Sequence, residues 1–343
     1  MNYSHVAITD NPDRRRRLVV LQTHPIQYYA PLYRELARRG DIEIHVIYLT
    51  DGGAAAYHDE NFGRVIAWDI PLLDGYAYTV MEAGLALNGR GFFSLYSKKL
   101  GMILDQLKPD AMLLYGYSSR MNWRALRWAK KNHCRVLYTS DSNASTPRAY
   151  WKNLLKKIIV GNFFSKVDEF FCTSEVNENY ILSFADGGAS INRIPFAIDV
   201  CRFASVAPLS GNRQRYDFIW AGKFIGIKMP LDFIRALGLV AARAGVDISA
   251  SIVGDGPMLA EISEAAKQLP TNCQLDFKGF VNQADMPAIL QEANVLVFTS
   301  MCEAYGLIAT EAAAAGLALV VADGIGCVGD TVLARPGVNA LIY

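Results

Sequence analysis

The sequence predicts an α/β protein built from two doubly wound domains that face a central cleft. Three observations carry that prediction. From residue 17 onward, short β-branched runs alternate with longer segments of helical period, the pattern of parallel sheets with crossover helices. The alternation lapses once, over "CRFASVAPLSGNRQRYD" (201–217), where Pro, Gly, Ser and charge accumulate as in a linker, and then restarts. Finally, 343 residues with 52% hydrophobic and 20% charged content can bury a sizeable core in each of two domains. The expected boundaries are 1–200 for the first domain, 201–216 for the linker and 217–343 for the second. A ligand is then expected at the carboxyl ends of both sheets.

In the first domain the strands are expected over 17–23, 42–49, 110–116, 135–140, 168–173 and 191–196, with helices over 28–39, 92–107, 121–132 and 175–184. The second domain reads as "YDFIWAG", helix 230–244, "ISASIVG", helix 257–268, "CQLDFKGF", helix 284–293, "NVLVFTS", helix 306–315 and "LALVVAD". Gly316 is a natural residue to follow a helix end, and Pro257 suits a first helical position.

The net charge of +1 conceals an asymmetry: 7 Lys and Arg stand against 13 Asp and Glu in residues 217–343, and 27 against 20 in residues 1–216. Opposite signs suit two lobes that close on each other, and a basic first half suits an anionic surface. The six cysteines show no C-x-x-C pair or framework spacing, which points to a reducing compartment. After the basic run 14–17, "LVVLQ" is too short for a signal peptide, and no stretch approaches the ~18 apolar residues of a membrane span. The expectation is a cytoplasmic protein, soluble or peripheral on the inner face of the membrane, with no nucleic-acid partner.

Chemistry concentrates in the second half. "EAYGLIATEA" (303–312) holds Glu303 on a loop and Glu311 in an otherwise small and apolar helix. A carboxylate buried there must be paired or hydrogen-bonded. It is either a salt-bridged structural residue or an acceptor for ligand hydroxyls, with Glu303 serving a second set. The backbone N–H groups of Tyr305, Gly306 and Leu307, at the start of that helix, form an anion site. In "AGKFIGIKMP", Gly222 ends a strand and Lys223 and Lys228 follow it; they are solvated surface charges or the neutralising partners of a diphosphate. A diphosphate between sugar-like groups reads as a nucleotide sugar.

The order "AGK…K", "VGDGP", "FKGFV", "EAYGLIATEA" resembles the retaining glycosyltransferases of family 4, and the resemblance covers most of residues 18–343. It implies the GT-B fold, with the C-terminal helices of relatives apparently missing, and no cofactor. It places Lys223 (usually Arg) and Lys228 on the donor diphosphate, Glu303 on the transferred sugar, Glu311 on the ribose, and Phe280 and Val281 beside the base. No D-x-D motif supplies ligands for a metal on the diphosphate. "GIGCVG" (324–329) matches a dinucleotide fingerprint, but only 14 residues follow Gly329, too few to complete that unit. It resembles instead the "G-C-x-x-D" loop of a subset of these transferases.

In the first half, "HPIQYY" puts His24 and Gln27 where relatives carry a loop for donor phosphate and acceptor, in a form similar to polysaccharide and lipopolysaccharide enzymes; otherwise His24 caps the helix. "YTSD" (138–141) leaves Ser140 where many relatives have His, with Asp141 a polar group at the strand end. Between Asp141 and Asp168 the chain has Arg148, Lys152, Lys156, Lys157 and Lys166 and no acid. Trp151, Leu154, Leu155, Ile158 and Ile159 share a helical face there, which either packs on the sheet or meets a membrane. The activity so implied is transfer of a sugar from a nucleoside diphosphate to a cell-surface glycan or lipid-linked acceptor. An epimerase or hydrolase of the same fold, or a non-catalytic nucleotide-sugar-binding subunit, are the alternatives.

Overall fold

A computed structural model describes residues 15–59, 64–85, 91–142, 150–204, 216–329 and 332–343, apart from the side chains of 58, 59, 64 and 150–154. The first lobe contains β1 (Arg16–Gln22), α1 (Ala30–Arg39), β2 (Ile42–Tyr48), the short hairpin β3 (Tyr57–Asp59) and β4 (Arg64–Ile66), and β5 (Ala77–Val80). It continues with α2 (Leu100–Leu107), β6 (Ala111–Tyr115), α3 (Arg120–Lys131), β7 (Arg135–Ser140), α4 (Tyr150–Phe164), β8 (Glu169–Cys172), α5 (Glu175–Leu182) and β9 (Ile191–Arg193). After α6 (Val200–Ala204) the second lobe runs β10 (Tyr216–Ala221), α7 (Pro230–Ala244), β11 (Ile248–Val253), α8 (Leu259–Ala266) and β12 (Cys273–Gly279). It ends with α9 (Met286–Gln291), β13 (Ala293–Phe298), α10 (Leu307–Ala314), β14 (Ala318–Val321) and β15 (Ala340–Ile342).

Two parallel sheets result, ordered β5-β2-β1-β6-β7-β8-β9 and β12-β11-β10-β13-β14-β15. The central strands are apolar runs because helices cover both faces. In β1, Val19, Val20 and Leu21 are all fully buried, and β10 likewise buries Ile219 and Trp220. Each order reverses once, between β1 and β6 in the first sheet and between β10 and β13 in the second. At such a reversal the outgoing loops diverge and leave a crevice at the carboxyl ends of the strands. The two-domain α/β architecture expected from the sequence is therefore present.

Several boundaries differ. The helix expected over 92–107 starts only at Leu100, because residues 92–99 turn back toward α3, where Arg120 donates its N–H to the carbonyl of Phe92 at 3.0 Å. Pro257 precedes α8 rather than opening it. Residues 201–204, expected in the linker, complete α6, and Phe203 is fully buried in the core of the second lobe. The crossing between lobes is thus made by residues 194–199, and 205–215 lie outside the described residues. In α4 the inward face is Val160, Phe163 and Phe164, whereas Leu155, Ile158 and Ile159 point to solvent. Lys156 stands over the rings of Tyr180 and Phe184 at 4.7 and 5.2 Å. Trp151, Lys152 and Leu154 fall among the side chains outside the description, as does residue 148. No helix among the described residues is long and apolar enough to cross a membrane.

Candidate functional site

The reversal in the second sheet puts two loops side by side. The loop leaving β10 carries Gly222 and Lys223, then a 3-10 turn, Gly226–Lys228, that presents Lys228. The loop leaving β13 carries Glu303 through Gly306 and runs into α10. Thr299 joins them: its hydroxyl lies 2.9 Å from the carbonyls of both Lys228 and Met229, and it accepts the indole N–H of Trp220 at 2.8 Å. Met229 is held in the left-handed region at φ 51°, where a residue with a side chain rarely sits, so this turn needs such an anchor. Lys228 Nζ then meets Glu303 Oε2 in an ion pair whose side chains are 20% and 24% exposed.

Two glycines fix the approach of these loops. A Cβ on Gly254, whose φ is +148°, would lie 1.9 Å from the carbonyl oxygen of Gly222. A Cβ on Gly326 would lie 1.9 Å from the carbonyl oxygen of Ala304, and the Gly326 N–H donates to the Glu303 carbonyl at 3.1 Å. The "GIGCVG" stretch therefore backs the Glu303 loop. Gly306 serves as the cap of α10 at φ 94°, with no side-chain cap on the N–H groups behind it.

Both lobes enclose the resulting cleft of about 340 Å³. The second lobe lines it with Gly222, Lys223, Lys228, Glu303, Tyr305, Gly306 and Leu307, all expected from the sequence. The first lobe adds Asp141, also expected, and Tyr28, which the sequence reading passed over. Burial, and secondarily the charge of Asp141, push the Tyr28 phenol up to about 12, so it stays a neutral donor near pH 7. Phe196, from the crossing segment, joins the lobes: its ring stands edge-on to Tyr28 at 5.6 Å and to Tyr305 at 5.1 Å. Its only signal in the sequence is an aromatic beside Pro195 at the end of a strand run.

Other expected residues stand elsewhere. Glu311 is one turn along α10 from Leu307, partly buried and outside the cleft lining, with its carboxyl pushed up to about 7 by burial while the charge of Arg202 opposes the shift. Arg202, on α6, donates to the carbonyl and side chain of Gln283 at 2.7 and 2.8 Å. Phe280 and Val281 line a separate cavity with Tyr216, Lys278 and Asn282. His24 does not cap α1, whose cap is Tyr29 without a side-chain bond; its Nδ1 lies 2.9 Å from the Thr23 hydroxyl, and burial lowers its pKa, leaving it neutral. Gln27 lies further along the same loop, and neither lines the cleft. Among the described residues no cluster of three or more His, Cys, Asp or Glu is placed to hold a metal.

The cleft's composition, cations and helix N–H groups beside a carboxylate at a sheet reversal, suits an anionic sugar-bearing ligand. This chain is similar to several known proteins. Over 164 residues, 47% of this chain, it is 29% identical to the glycogen synthase of Mycobacterium tuberculosis, of which the match spans 38%. It is 24% identical over 249 residues to the GDP-mannose-dependent alpha-(1-6)-phosphatidylinositol dimannoside mannosyltransferase of the same species, covering 67% of this chain and 61% of that one. The fold is similar to that of Anabaena HepE in complex with UDP, with a TM-score of 0.69 at 15% identity, over 96% of this chain and 85% of that one. Residues 208–342, the stretch that carries Lys223, Lys228, Glu303 and Glu311, match the family model for glycosyl transferases group 1.

Proposed function

We propose that this protein is a retaining, metal-independent glycosyltransferase that moves a sugar from a nucleoside diphosphate to a glycan or lipid-linked acceptor. The observation that carries the reading is the Lys228–Glu303 pair at the mouth of α10, beside Lys223 and facing Asp141 and Tyr28 of the other lobe. Lys223, Lys228 and the α10 N–H groups neutralise the leaving diphosphate, which is electrostatic stabilisation of charge that develops in the transition state. When the diphosphate takes Lys228, Glu303 is released to accept hydroxyls of the transferred sugar. The acceptor enters from the first lobe past Tyr28 and Asp141, with His24 and Gln27 on the loop behind. Glu311 takes the ribose, which requires its carboxyl to ionise, and the base is assigned to Phe280 and Val281, so it must reach beyond the cleft to the separate cavity they line. The relatives named for UDP and GDP-mannose support a nucleotide-sugar donor, and the phosphatidylinositol dimannoside enzyme supports a lipid-linked acceptor.

The test is a panel of nucleotide sugars screened by thermal shift, since a ligand bound by the native state alone raises apparent stability. The best binder is then incubated with and without glycolipid acceptors, and the anomeric configuration of the product is read by NMR. Retained configuration in an acceptor-dependent product is expected. An epimer or free sugar formed from donor alone would replace this reading with epimerase or hydrolase activity.

A further inference from the structure

A groove of about 880 Å³ opens on the first lobe, away from the cleft just described. That size falls in the range of small-molecule sites, on the order of 300–1,000 Å³. Its walls are aromatic and aliphatic: Phe92 and Phe93 from the turn before α2, Tyr117 from the loop after β6, Trp123 from α3 and Ile159 from α4. Along one side runs a row of cations. Arg120, Arg124 and Arg127 recur at helical spacing on one face of α3, and all three line the groove. Arg120 and Arg124 stand 4.6 and 5.7 Å from the ring of Tyr96, a contact that orients a guanidinium without neutralising it. Among the described residues none of the three pairs with a carboxylate, although Arg135 and Lys130 nearby do, with Glu169 and Asp168.

The apolar side continues onto the surface. Phe93 is 77% exposed, Ile158 63%, Leu155 51% and Ile159 45%. Leu155 and Ile159 are one turn apart on α4, so they extend one wall of the groove. Contiguous apolar surface of this kind marks an interaction site. The groove also lies on the useful edge of the sheet. Tyr117 follows the carboxyl end of β6, which pairs with β7 through Tyr115 opposite Thr139, and β7 leads directly to Asp141 in the cleft.

We infer that this groove holds the aliphatic chain of an anionic amphiphile, with Arg120, Arg124 and Arg127 on its phosphate, and that the amphiphile is the acceptor of the proposed transfer. An uncharged glycan would leave the three guanidinium groups without a counter-ion, and a free anion would leave the aromatic walls without a partner. A chain attached to a phosphate satisfies both. A glycan carried beyond that phosphate extends along the carboxyl edge of β6 and β7 toward Asp141. The acceptor assignment rests on the proposed function, whereas occupation of the groove does not.

The experiment follows Trp123 fluorescence and titration calorimetry of the full chain with dodecyl phosphate below its micellar concentration. Dodecyl maltoside, inorganic phosphate and vesicles of anionic phospholipid are the comparison probes. Saturable binding of dodecyl phosphate is expected, weakened at least tenfold by Arg124→Glu and by Phe93→Asp, both changes at groove positions outside the buried core. Equal binding by wild type and both variants, no binding of dodecyl phosphate, or inorganic phosphate binding as tightly, would each overturn the proposal. Binding to vesicles without binding to the monomeric amphiphile would make this a bilayer-docking face instead. UDP and GDP titrated into the same variants report on the other cleft. If neither nucleotide binds the wild type while dodecyl phosphate does, the donor reading fails and the groove stands.

Discussion

Lys228 and Glu303 neutralise each other across the gap between the loops that leave β10 and β13, in an ion pair that is largely shielded from solvent. Truncating one leaves a partly buried charge uncompensated, which is costlier than never having had the pair.

Lys228→Ala is expected to weaken nucleoside diphosphate binding and to lower turnover by about 3 kcal/mol of transition-state stabilisation, the scale of losing one oxyanion donor. Glu303→Gln is expected to leave nucleotide affinity intact or improve it, since Lys228 is then free for the diphosphate, while turnover falls. Calorimetric titration beside steady-state kinetics checks both; parallel loss of affinity in the two variants would mean that Glu303 holds the nucleotide rather than the sugar.

Glu311 gives a pH signature with a definite sign. Its folded pKa of about 7 lies above the ordinary 4.5, so the native state keeps a proton that the unfolded chain releases. Stability should fall as pH rises from about 4.5 to 7, by up to about 3 kcal/mol, and Glu311→Gln should flatten that slope. A ribose diol donates to the ionised form, so nucleotide affinity should rise from pH 6 to 8 in the wild type and not in the variant. Denaturant melts and titrations at several pH values decide it.

Gly326→Ala should impair the site without touching a ligand. The new Cβ meets backbone at Ala304, so the Glu303 loop must move. A loss of at least ten-fold in turnover with the fold retained by circular dichroism is expected; wild-type kinetics would show that the loop has slack.

Thr299→Val should free the turn that presents Lys228. It removes the hydroxyl facing two carbonyls and strands the buried Trp220 N–H, at a cost of about 1–3 kcal/mol in stability. The Lys228 contribution should fall with it, so a double-mutant cycle of Thr299→Val with Lys228→Ala is expected to be non-additive.

If lysines and helix N–H groups alone neutralise the diphosphate, as proposed, activity should survive EDTA. Inactivation reversed by Mg²⁺ or Mn²⁺ would contradict that account of the charge.

The order of strands and helices in the second lobe was legible because apolar runs and Gly turns there are closely spaced, and the "AGK…K" and "EAYGLIATEA" segments locate the lysines and Glu303. Their direct pairing was not legible, since it depends on the reversal of strand order between β10 and β13. Residues 201–204 read as linker because α6 is short and its one deeply buried side chain, Phe203, declares itself only against α9 and α10. The apolar positions of α4 were visible, but their period could not say which side meets the sheet. Phe163 and Phe164 took that side and left Leu155, Ile158 and Ile159 outside. Tyr28 and Phe196 were missed because an aromatic at a strand or helix edge looks the same whether it fills a core or spans two lobes.

The crossing between the lobes has a mechanical consequence. Phe196 belongs to the connecting segment and touches Tyr28 on one side and Tyr305 on the other. Farther out, Asn282 donates to the carbonyl of Ala67 at 2.7 Å, and the N–H of Ala284 to Asp69 at 2.9 Å. A rotation about residues 194–199 moves Phe196 little and separates those outer bonds most. Phe196 then acts as an axle and the Asn282 and Ala284 contacts as a latch, so weakening the latch should loosen one lobe against the other while leaving each sheet intact.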